Sequence, residues 1–223
     1  KSYALISDPM RYFENPQFVG LLLRRTNDEL RELIWNTKEL YPNIFKGSKF
    51  SEQKSEWRFP SGARLWMSYL DRDEDVLRYV GQAYTWIGFD ELTHWPSPYP
   101  WDFLRTRLRT SRSSGLSDSL AMRATTNPGG PGHGWVKKMF IDPAPYGEEF
   151  WAKDLDSNEV LKDPETGLPL FRRRFIPSLL SDNPYLAEDG NYRRNLAALP
   201  EKKRKQLLEG DWTVADGAAF SEF

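Results

Sequence analysis

The residue pair best suited to chemistry is Asp90-Glu91, which directly follows the apolar run at 84–89 (YTWIGF). Apolar runs of this length are typical of strands buried on both faces, and α/β proteins bind ligands at the carboxyl ends of such strands. In nucleotide hydrolases one carboxylate orients Mg²⁺ through its water shell and a second polarises the attacking water. Neighbouring strand residues point in opposite directions, so Asp90 and Glu91 can divide these two tasks. Taken alone, the pattern fits equally well an acidic loop that follows an ordinary strand.

A second pair, Lys1-Ser2, stands directly before a predicted helix. It matches the last two residues of a phosphate-binding loop, G-x-x-x-x-G-K-[ST], although the glycines of such a loop are not in this sequence. In that loop the lysine neutralises β- and γ-phosphate oxygens, the serine hydroxyl ligates Mg²⁺, and the helix N-terminus contributes its positive dipole. The order helix, buried strand, helix, buried strand with Asp-Glu is the one that phosphate-loop ATPases require. We therefore predict that Lys1, Ser2 and Asp90 bind a nucleotide, with Ser2 and Asp90 on the Mg²⁺ side, partly through water, and with Glu91 as the catalytic base.

Three small polar residues, Thr125, Thr126 and Asn127, end a third candidate strand and precede Pro128-Gly129-Gly130. Neutral hydroxyl and amide groups at a strand end can sense a γ-phosphate without adding charge, and glycines permit the backbone to rearrange. We predict that these three residues contact the nucleotide. The alternative is an Asn-Pro-Gly turn, which needs no ligand.

Arginines can complete a site of this kind from a neighbouring subunit, where one guanidinium stabilises the γ-phosphate in the transition state. The first candidate for this catalytic role is Arg78, shortly before the strand that carries the two carboxylates, and Arg107 or Arg109 is the alternative. Arg24 and Arg25 end the first predicted strand at the same edge of the sheet. They can meet phosphate, or they can pair with the acidic neighbours Asp28 and Glu29.

A further set of cations can contact DNA phosphates or another subunit, or can form ordinary solvated faces. Its members are Arg107, Arg109 and Arg112 on a basic helix predicted at 101–112, and Lys202 and Lys203 on a terminal helix. Movement along DNA needs only sequence-independent phosphate contacts, so no base-reading motif is expected. Trp95 and Trp101, in the loop after Glu91, are candidates for a subunit or ligand contact.

The apolar periodicity predicts the elements that must position these residues. Strands alternate with helices, which predicts an α/β fold with a mainly parallel central β-sheet flanked by helices. The predicted strands are 18–23, two runs within 57–69 joined at Pro60-Ser61-Gly62, 84–89, 120–126 and 171–176. The predicted helices lie within 1–13, from Thr26 or Asn27 to Pro42, from Asp71, at 101–112, at 135–141, and as a pair at 191–208 divided near Pro200. No internal repeat or interdomain linker is evident, so we expect a single domain over 1–223.

Composition excludes several classes of protein. The 223 residues contain no cysteine, which excludes a disulfide scaffold, a thiolate metal site and a cysteine nucleophile. Two histidines are too few for the usual histidine-built zinc centre. With 31 Lys and Arg against 32 Asp and Glu, the chain is not globally basic, although a local basic face stays open. No apolar run approaches the roughly 20 residues of a membrane span, so no membrane partner is expected.

A set of short motifs extends in order over nearly the whole chain. The first are 84–92 (YTWIGFDEL), Arg107-Leu108-Arg109, and 126–130 (TNPGG) with His133 and Trp135. The later ones are 175–178 (FIPS), 182–184 (DNP) and 208–212 (LEGDW), with Gly217 and Phe220. This combination resembles the large subunit of tailed-phage terminases, and it is far more specific than any one of its motifs.

The resemblance implies a fold, an activity and a set of partners. The fold would be a P-loop NTPase of the ASCE type, and the activity would be ATP hydrolysis that drives double-stranded DNA into a preformed capsid. ATP and Mg²⁺ would be the ligands. The partners would be double-stranded DNA, a portal protein, a small terminase subunit and further copies of the chain in a homo-oligomeric ring. The location would be the cytoplasm of the phage host.

The resemblance also implies a role for each site residue. Lys1 and Ser2 correspond to the end of the Walker A loop, Asp90 to the Walker B carboxylate and Glu91 to the catalytic base. The coupling motif, which links hydrolysis to movement, corresponds to Thr125, Thr126 and Asn127. The Walker A glycines, the adenine-contacting segment and the acidic cluster of the nuclease domain have no counterpart in the sequence. We therefore expect about 205–223 to lead towards a nuclease domain, and DNA cleavage by this chain is not supported.

Two other functions stay open at this stage. A helicase-like ATPase that remodels nucleic acid would use the same catalytic residues, and strand separation on short duplexes would favour it. A non-catalytic interaction module would have lost its phosphate loop, and glycines encoded directly upstream of Lys1 would count against it.

Overall fold

The computed structural model describes residues 1–117, 120–183 and 190–214, apart from the side chains of Arg112, Tyr192 and Arg193. These residues form two compact units, Lys1–Thr126 and Asn127–Phe223. The expected single domain over 1–223 stays a prediction, and its last part, 215–223, lies outside the described residues. None of the helices in the described ranges is long and apolar enough to cross a membrane.

The first unit contains a six-stranded sheet whose central strands are parallel, as the alternation of strands and helices predicts. Its strands are β1 Val19–Arg24, β2 Lys49–Ser51, β3 Glu56–Arg58, β4 Arg64–Tyr69, β5 Trp86–Phe89 and β6 Ala121–Ala124. They lie in the order β2-β3-β4-β1-β5-β6, with β4, β1, β5 and β6 parallel and β2 and β3 antiparallel. The hairpin predicted around Pro60-Ser61-Gly62 is confirmed as β3–β4, whereas β2 is not among the predicted strands.

The helices of the first unit cover this sheet and begin close to the predicted positions. They are α1 Ser2–Ser7, α2 Asn27–Ile44 and α3 Tyr99–Arg105, with 3-10 helices at Asp8–Tyr12, Asp73–Tyr79, Leu92–His94 and Arg112–Ser114. Thr26 caps α2 in a reciprocal capping box with Glu29, which confirms one of the two predicted caps.

The predicted end of α2 at Pro42 is wrong, because the helix continues to Ile44. Proline lacks only its own N–H, and the next turn still closes through the Phe45 amide, which donates to the Tyr41 carbonyl at 2.7 Å. Tyr41 is fully buried, and its hydroxyl donates to the Ile6 carbonyl at 2.7 Å. Packing of Tyr41 therefore outweighs the local penalty of the proline.

The core of the first unit is unusually aromatic. Phe13 stacks on Phe59 with ring centroids 3.8 Å apart, and Tyr41 meets Trp57 edge-on at 5.3 Å. The prediction that Trp95 and Trp101 make subunit or ligand contacts is wrong: they are 1% and 6% exposed and pack against Phe89. Both indoles therefore pack against the strand that precedes the two carboxylates.

The basic helix predicted at 101–112 is wrong in its second half. Helix α3 ends at Arg105, and the chain then turns to pair with the residues that lead into β5. The Tyr84 amide donates to the Arg107 carbonyl at 2.9 Å, and the Arg109 amide donates to the Tyr84 carbonyl at 3.0 Å. This pairing replaces the last helical turns, so Arg105 and Arg109 do not share a helix face.

The second unit is built from short elements. It contains α4 His133–Val136, β7 Glu149–Trp151, β8 Arg172–Arg174, α5 Gly190–Ala197 and α6 Glu201–Arg204, with π-helical turns at Lys137–Ile141 and Lys205–Glu209 and a 3-10 helix at Leu180–Asp182. The strand predicted at 171–176 is present as β8, but it pairs antiparallel with β7 in a separate two-stranded sheet. The terminal helix pair divided near Pro200 is confirmed.

Gly88, two residues before Asp90 in β5, offers a test of the packing around the strand. A Cβ atom at this position would overlap the Trp86 indole and would lie 2.9 Å from Leu22 Cδ1. We expect Gly88→Ala to lower the free energy of unfolding by about 1–3 kcal/mol, because both neighbours are fully buried and cannot move aside cheaply. Gly134→Ala is the matched control, since a Cβ there would meet nothing within 4 Å. Equal stabilities of the two variants in a urea titration would contradict the expectation.

Candidate active site

The parallel strands of the first unit bring the predicted site residues to one edge of the sheet. Leu23 of β1 is in register with Phe89 of β5, and Phe89 with Ala124 of β6, so the three strands end at the same level. The residues that come next are Arg24, Asp90 and Thr125. The register therefore brings Asp90 and Thr125 together at the carboxyl ends of neighbouring strands, and their predicted roles towards a nucleotide stay predictions.

Asp90 is the centre of this group. It is fully buried, and its amide donates to the Leu23 carbonyl at 2.9 Å. The Ser2 hydroxyl lies 3.2 Å from each of its carboxylate oxygens, and the Thr125 hydroxyl donates to Oδ1. Residues 88 and 35 positions away in the sequence thus converge on one carboxylate.

Arg24 supplies the positive charge that accompanies Asp90. Its Nη2 lies 2.5 Å from Asp90 Oδ2, and its Nε is buried without a hydrogen-bond partner. Arg25 pairs instead with Asp73 at 2.9 Å. The sequence alternative, in which these arginines pair with Asp28 and Glu29, is wrong because the carboxylates that meet them come from distant parts of the chain.

Glu91 occupies a left-handed backbone conformation, with φ 59° and ψ 59°. A residue with a side chain adopts this conformation rarely, and such strained residues concentrate at functional sites. Burial raises the pKa of Glu91, and the neighbouring Asp90 carboxylate raises it further, whereas His94, Arg24 and Lys1 oppose the shift. A carboxyl group with a raised pKa is a better proton acceptor than an ordinary glutamate, which suits a general base.

Lys1 extends over the same edge of the sheet. Its Nζ donates to the Thr126 carbonyl at 3.1 Å. Desolvation by the surrounding protein lowers the pKa of this ammonium, and the charge of Glu91 acts in the opposite direction. Lys1 and the end of β6 are thus brought together, and the role of Lys1 and Ser2 towards phosphate stays a prediction.

The raised pKa of Glu91 predicts how stability depends on pH. When the pKa of a carboxyl group is higher in the folded state, the folded protein holds the proton more tightly than the unfolded chain does. The resulting stabilisation is complete below the unfolded pKa of 4.5 and is lost as pH rises through the folded pKa. We therefore expect Glu91→Gln to raise the free energy of unfolding at neutral pH and to lose this advantage as pH falls to 4.5. Denaturant titrations at both pH values measure the difference. Equal differences between Glu91→Gln and the wild type at the two pH values would contradict the expectation.

Arg78 lies near the same edge, in the 3-10 helix Asp73–Tyr79 that follows β4. Its Nη2 donates to the Tyr69 carbonyl at 2.8 Å, and its side chain is 52% exposed. The backbone carbonyl therefore fixes the base of the guanidinium while leaving much of it accessible. Its predicted role towards another subunit stays a prediction.

Two further predicted cations, Arg107 and Arg109, make contacts outside the group around Asp90. Arg107 is half-buried and stacks over Phe103 at 5.2 Å, whereas Arg109 folds back to the Gly81 and Gln82 carbonyls. Lys202 and Lys203 lie in α6, and Asn127 is the first residue of the second unit. The side chain of Arg112 is outside the described part of the structure.

Sequence reasoning misses two polar contacts of the site. His94 Nδ1 lies 3.2 Å from Glu29 Oε1 and so links the turn after Glu91 to the capping box of α2. Thr93 is 2% exposed, and its amide donates to the Thr126 hydroxyl at 3.1 Å. The sequence shows that a histidine and a threonine come shortly after Asp90-Glu91. It does not show their partners, which are 65 and 33 residues away.

The Mg²⁺ ion predicted from the sequence fits the chemistry of these residues. A hydroxyl oxygen of Ser2 and two carboxylate oxygens of Asp90, 3.2 Å apart, are hard oxygen donors of the kind Mg²⁺ takes together with water and phosphate. In the parts of the chain that the structure describes, no cluster of three or more His, Cys, Asp or Glu side chains could hold a metal by itself.

Comparison with known proteins finds solved structures that have a similar fold. No family model matches the sequence, and no curated protein sequence is similar to it. Among solved structures, the large terminase of a thermophilic bacteriophage in complex with ADP is 16% identical, with a TM-score of 0.63 over 95% of this chain. The same protein in complex with ATP-γ-S gives a TM-score of 0.60 over 95% of this chain and 43% of that one.

The ATPase domain of the Thermus phage P74-26 large terminase is a further neighbour. It is 10% identical, with a TM-score of 0.53 over 95% of this chain and 83% of that domain. The chain spans only 44% of the length of the terminase solved with ADP. The predicted α/β architecture and the predicted resemblance are thereby confirmed at the level of structure, and the chain has the fold of the ATPase domain of phage large terminases.

Proposed function

We propose that this chain is the ATP-hydrolysing motor domain of a phage large terminase, which moves double-stranded DNA into a procapsid. The proposal rests chiefly on the convergence of Ser2, Arg24 and Thr125 on the buried Asp90 carboxylate, with Glu91 next to it, in a terminase ATPase fold. The similar large terminase of a thermophilic bacteriophage has been solved with ADP and with ATP-γ-S, which supports ATP as the substrate here.

Each residue of the site has a defined task in this proposal. Lys1 leaves the Thr126 carbonyl to neutralise the β- and γ-phosphates, and the N-terminus of α1 adds its dipole. Ser2 and Asp90 hold Mg²⁺, which neutralises charge on the phosphates when it is bound. Glu91 accepts a proton from the attacking water.

The coupling residues are proposed to report the state of the nucleotide. Thr125 donates to Asp90, Thr126 accepts from Lys1 through its carbonyl, and Asn127 follows directly in the chain. Loss of the γ-phosphate changes what Lys1 binds, so it changes the restraint on the end of β6. This supports a role for the three residues in passing hydrolysis to the rest of the motor.

The partners of the motor are proposed from the same fold. Further copies of the chain form a ring on a portal protein, a small terminase subunit delivers the DNA, and the assembly acts in the host cytoplasm. The double-stranded DNA is held through its phosphates by a subset of the predicted cations. The candidates are Arg107, Arg109, Arg112, Lys202 and Lys203.

Hydrolysis stimulated by DNA is the direct test of the proposal. ATP hydrolysis by the protein expressed from its complete reading frame is measured with and without linear double-stranded DNA, and movement is followed by displacement of a third strand from a triplex. We expect stimulation and displacement that both depend on ATP. Separation of short duplexes without triplex displacement would favour the helicase-like alternative, and absence of nucleotide binding would favour an interaction module.

Arg78 is proposed to act on the nucleotide of the neighbouring subunit, and a mixing experiment tests this. Glu91→Gln subunits keep Arg78, and Arg78→Ala subunits keep Glu91, so a mixed ring restores complete sites only if the arginine acts between subunits. We expect Arg78→Ala alone to lose at least about 10³-fold in kcat, and Glu91→Gln alone to lose about 10²- to 10⁴-fold. The mixture should recover a substantial part of the activity. No recovery in a mixture shown to co-assemble would mean that Arg78 acts within its own subunit or not at all.

A further inference from the structure

We infer that Thr93 is a positioning residue for Glu91, and that it acts through a pair of hydroxyls shared with Thr126. The inference deepens the proposed function and rests on it, because it takes Glu91 as the catalytic base. Thr93 lies in the short 3-10 helix Leu92–His94, directly after the two carboxylates. None of the roles considered above involves its side chain.

The backbone at Glu91 needs support from outside. Its left-handed conformation, with φ 59°, costs free energy for any residue with a side chain, and it persists only where the surroundings enforce it. Within 90–93 the chain makes no regular strand or α-helix that would supply such enforcement. The support must therefore come from neighbouring elements.

That support comes from the end of β6. The Leu92 amide donates to the Thr125 carbonyl at 2.8 Å, and the Glu91 amide makes a long hydrogen bond to the Thr125 hydroxyl at 3.5 Å. The Thr93 amide donates to the Thr126 hydroxyl at 3.1 Å. Three consecutive amides after Asp90 are thus bonded to two consecutive threonines.

The Thr93 hydroxyl completes this arrangement. The Thr126 hydroxyl accepts from the Thr93 amide and donates to the Thr93 hydroxyl at 3.0 Å, so one oxygen is used in both directions. Thr93 is 2% exposed, and in such a place water cannot replace a lost partner. Loss of either hydroxyl weakens the restraint on the turn that carries Glu91.

The same threonine is in contact with the predicted phosphate-binding lysine. Lys1 Nζ donates to the Thr126 carbonyl at 3.1 Å, while the Thr126 hydroxyl holds Thr93. A phosphate that recruits Lys1 competes for this ammonium. The hydroxyl pair therefore lies between the lysine and the turn of the catalytic base.

Kinetics of two Thr93 variants test the inference. Thr93→Val removes the hydroxyl and keeps the shape, whereas Thr93→Ser keeps the hydroxyl. In the protein from its complete reading frame we expect Thr93→Val to lower kcat for ATP by about 10- to 100-fold with little change in KM, because a misplaced base affects the chemical step and not binding. Thr93→Ser should retain the wild-type kcat.

A matched control separates positioning from the general loss of a buried hydroxyl. Thr85 is also buried in the same region of the chain, and its hydroxyl donates to the Val19 carbonyl at 3.2 Å at the opposite end of β5. Thr85→Val should leave kcat unchanged. If Thr93→Val does not fold, Thr126→Ala removes the other hydroxyl from a partly exposed position and should lower kcat in the same way.

Amide hydrogen exchange gives a readout that does not depend on activity. In the nucleotide-free protein, Thr93→Val should speed exchange at the amides of Leu92 and Thr93, and Thr85→Val should not. Wild-type kcat or wild-type exchange in Thr93→Val would overturn the inference, as would an equal loss of kcat in Thr93→Ser. If Glu91→Gln hydrolyses ATP normally, the proposed function fails; if only Glu91→Gln is inactive and Thr93→Val is not, the inference alone fails.

Discussion

Glu91→Gln is expected to abolish most ATP hydrolysis while leaving nucleotide binding intact. A general base contributes about 10²- to 10⁴-fold to the rate, so kcat should fall by that factor. Glutamine keeps the size and the hydrogen-bonding capacity of the side chain but cannot accept the proton from water. Steady-state hydrolysis and the affinity for a fluorescent ATP analogue, measured on the same preparation, separate the two effects.

A nearby carboxylate serves as the control for this loss. Glu29 pairs with His94 at 3.2 Å and caps α2, but it is not proposed to touch the nucleotide. Glu29→Gln should cost far less kcat than Glu91→Gln. Normal hydrolysis in Glu91→Gln, or equal losses in both variants, would remove Glu91 from the role of base.

Asp90→Ala is expected to have the largest effect on stability. Asp90 is fully buried, and its loss leaves the guanidinium of Arg24, at present 2.5 Å away, without its counter-charge. Breaking a buried pair from one side typically costs about 3–5 kcal/mol in the free energy of unfolding. Chemical denaturation followed by tryptophan fluorescence measures this cost.

Removing both partners should reverse much of that loss. The double variant Asp90→Ala, Arg24→Met leaves no buried charge, so it should be more stable than Asp90→Ala alone. Arg31→Ala breaks the exposed pair with Asp28, 3.3 Å apart, and should cost no more than about 1 kcal/mol. A double variant as unstable as the single one would mean that Arg24 is not the reason for the loss.

The sequence predicts those parts of the fold that have a local or periodic signal. The apolar runs before Arg24 and Asp90 give β1 and β5, and the hydroxyl-capped periodicity gives the start of α2. Because parallel strands share one carboxyl edge, the meeting of Ser2, Asp90 and Thr125 also follows from the order of elements.

The rest of the fold depends on contacts between distant residues. Pro42 reads as a helix end, yet burial of Tyr41 carries the helix beyond it. The basic run after Trp101 reads as helix, yet pairing with Tyr84 ends the helix at Arg105. In both cases a tertiary contact outweighs a local preference that pattern reasoning takes as decisive.

In the site, too, some features have a local sequence signal and others depend on contacts between distant residues. Arg24 has acidic neighbours in sequence at Asp28 and Glu29, but the carboxylate that it meets is Asp90, which only the register of β1 and β5 brings close. The left-handed backbone of Glu91 has no sequence signal either, since glycine is the residue that usually marks it. Charge partners and strain are properties of the folded chain.

The order of strands has a consequence for how the chain folds. Strand β1 is central in the sheet, but its partners β4 and β5 are made much later: Val19 pairs with Arg64, and Gly20 with Trp86. The local hairpin β3–β4 can form early, whereas β1 must wait for long loops to close before both of its edges are paired. Until then the run Leu21–Leu23, which is fully buried in the folded protein, has no partner strand to cover it. Slower synthesis at low temperature should therefore raise the soluble yield, because the aggregation-prone interval is passed at a lower concentration of unfinished chains.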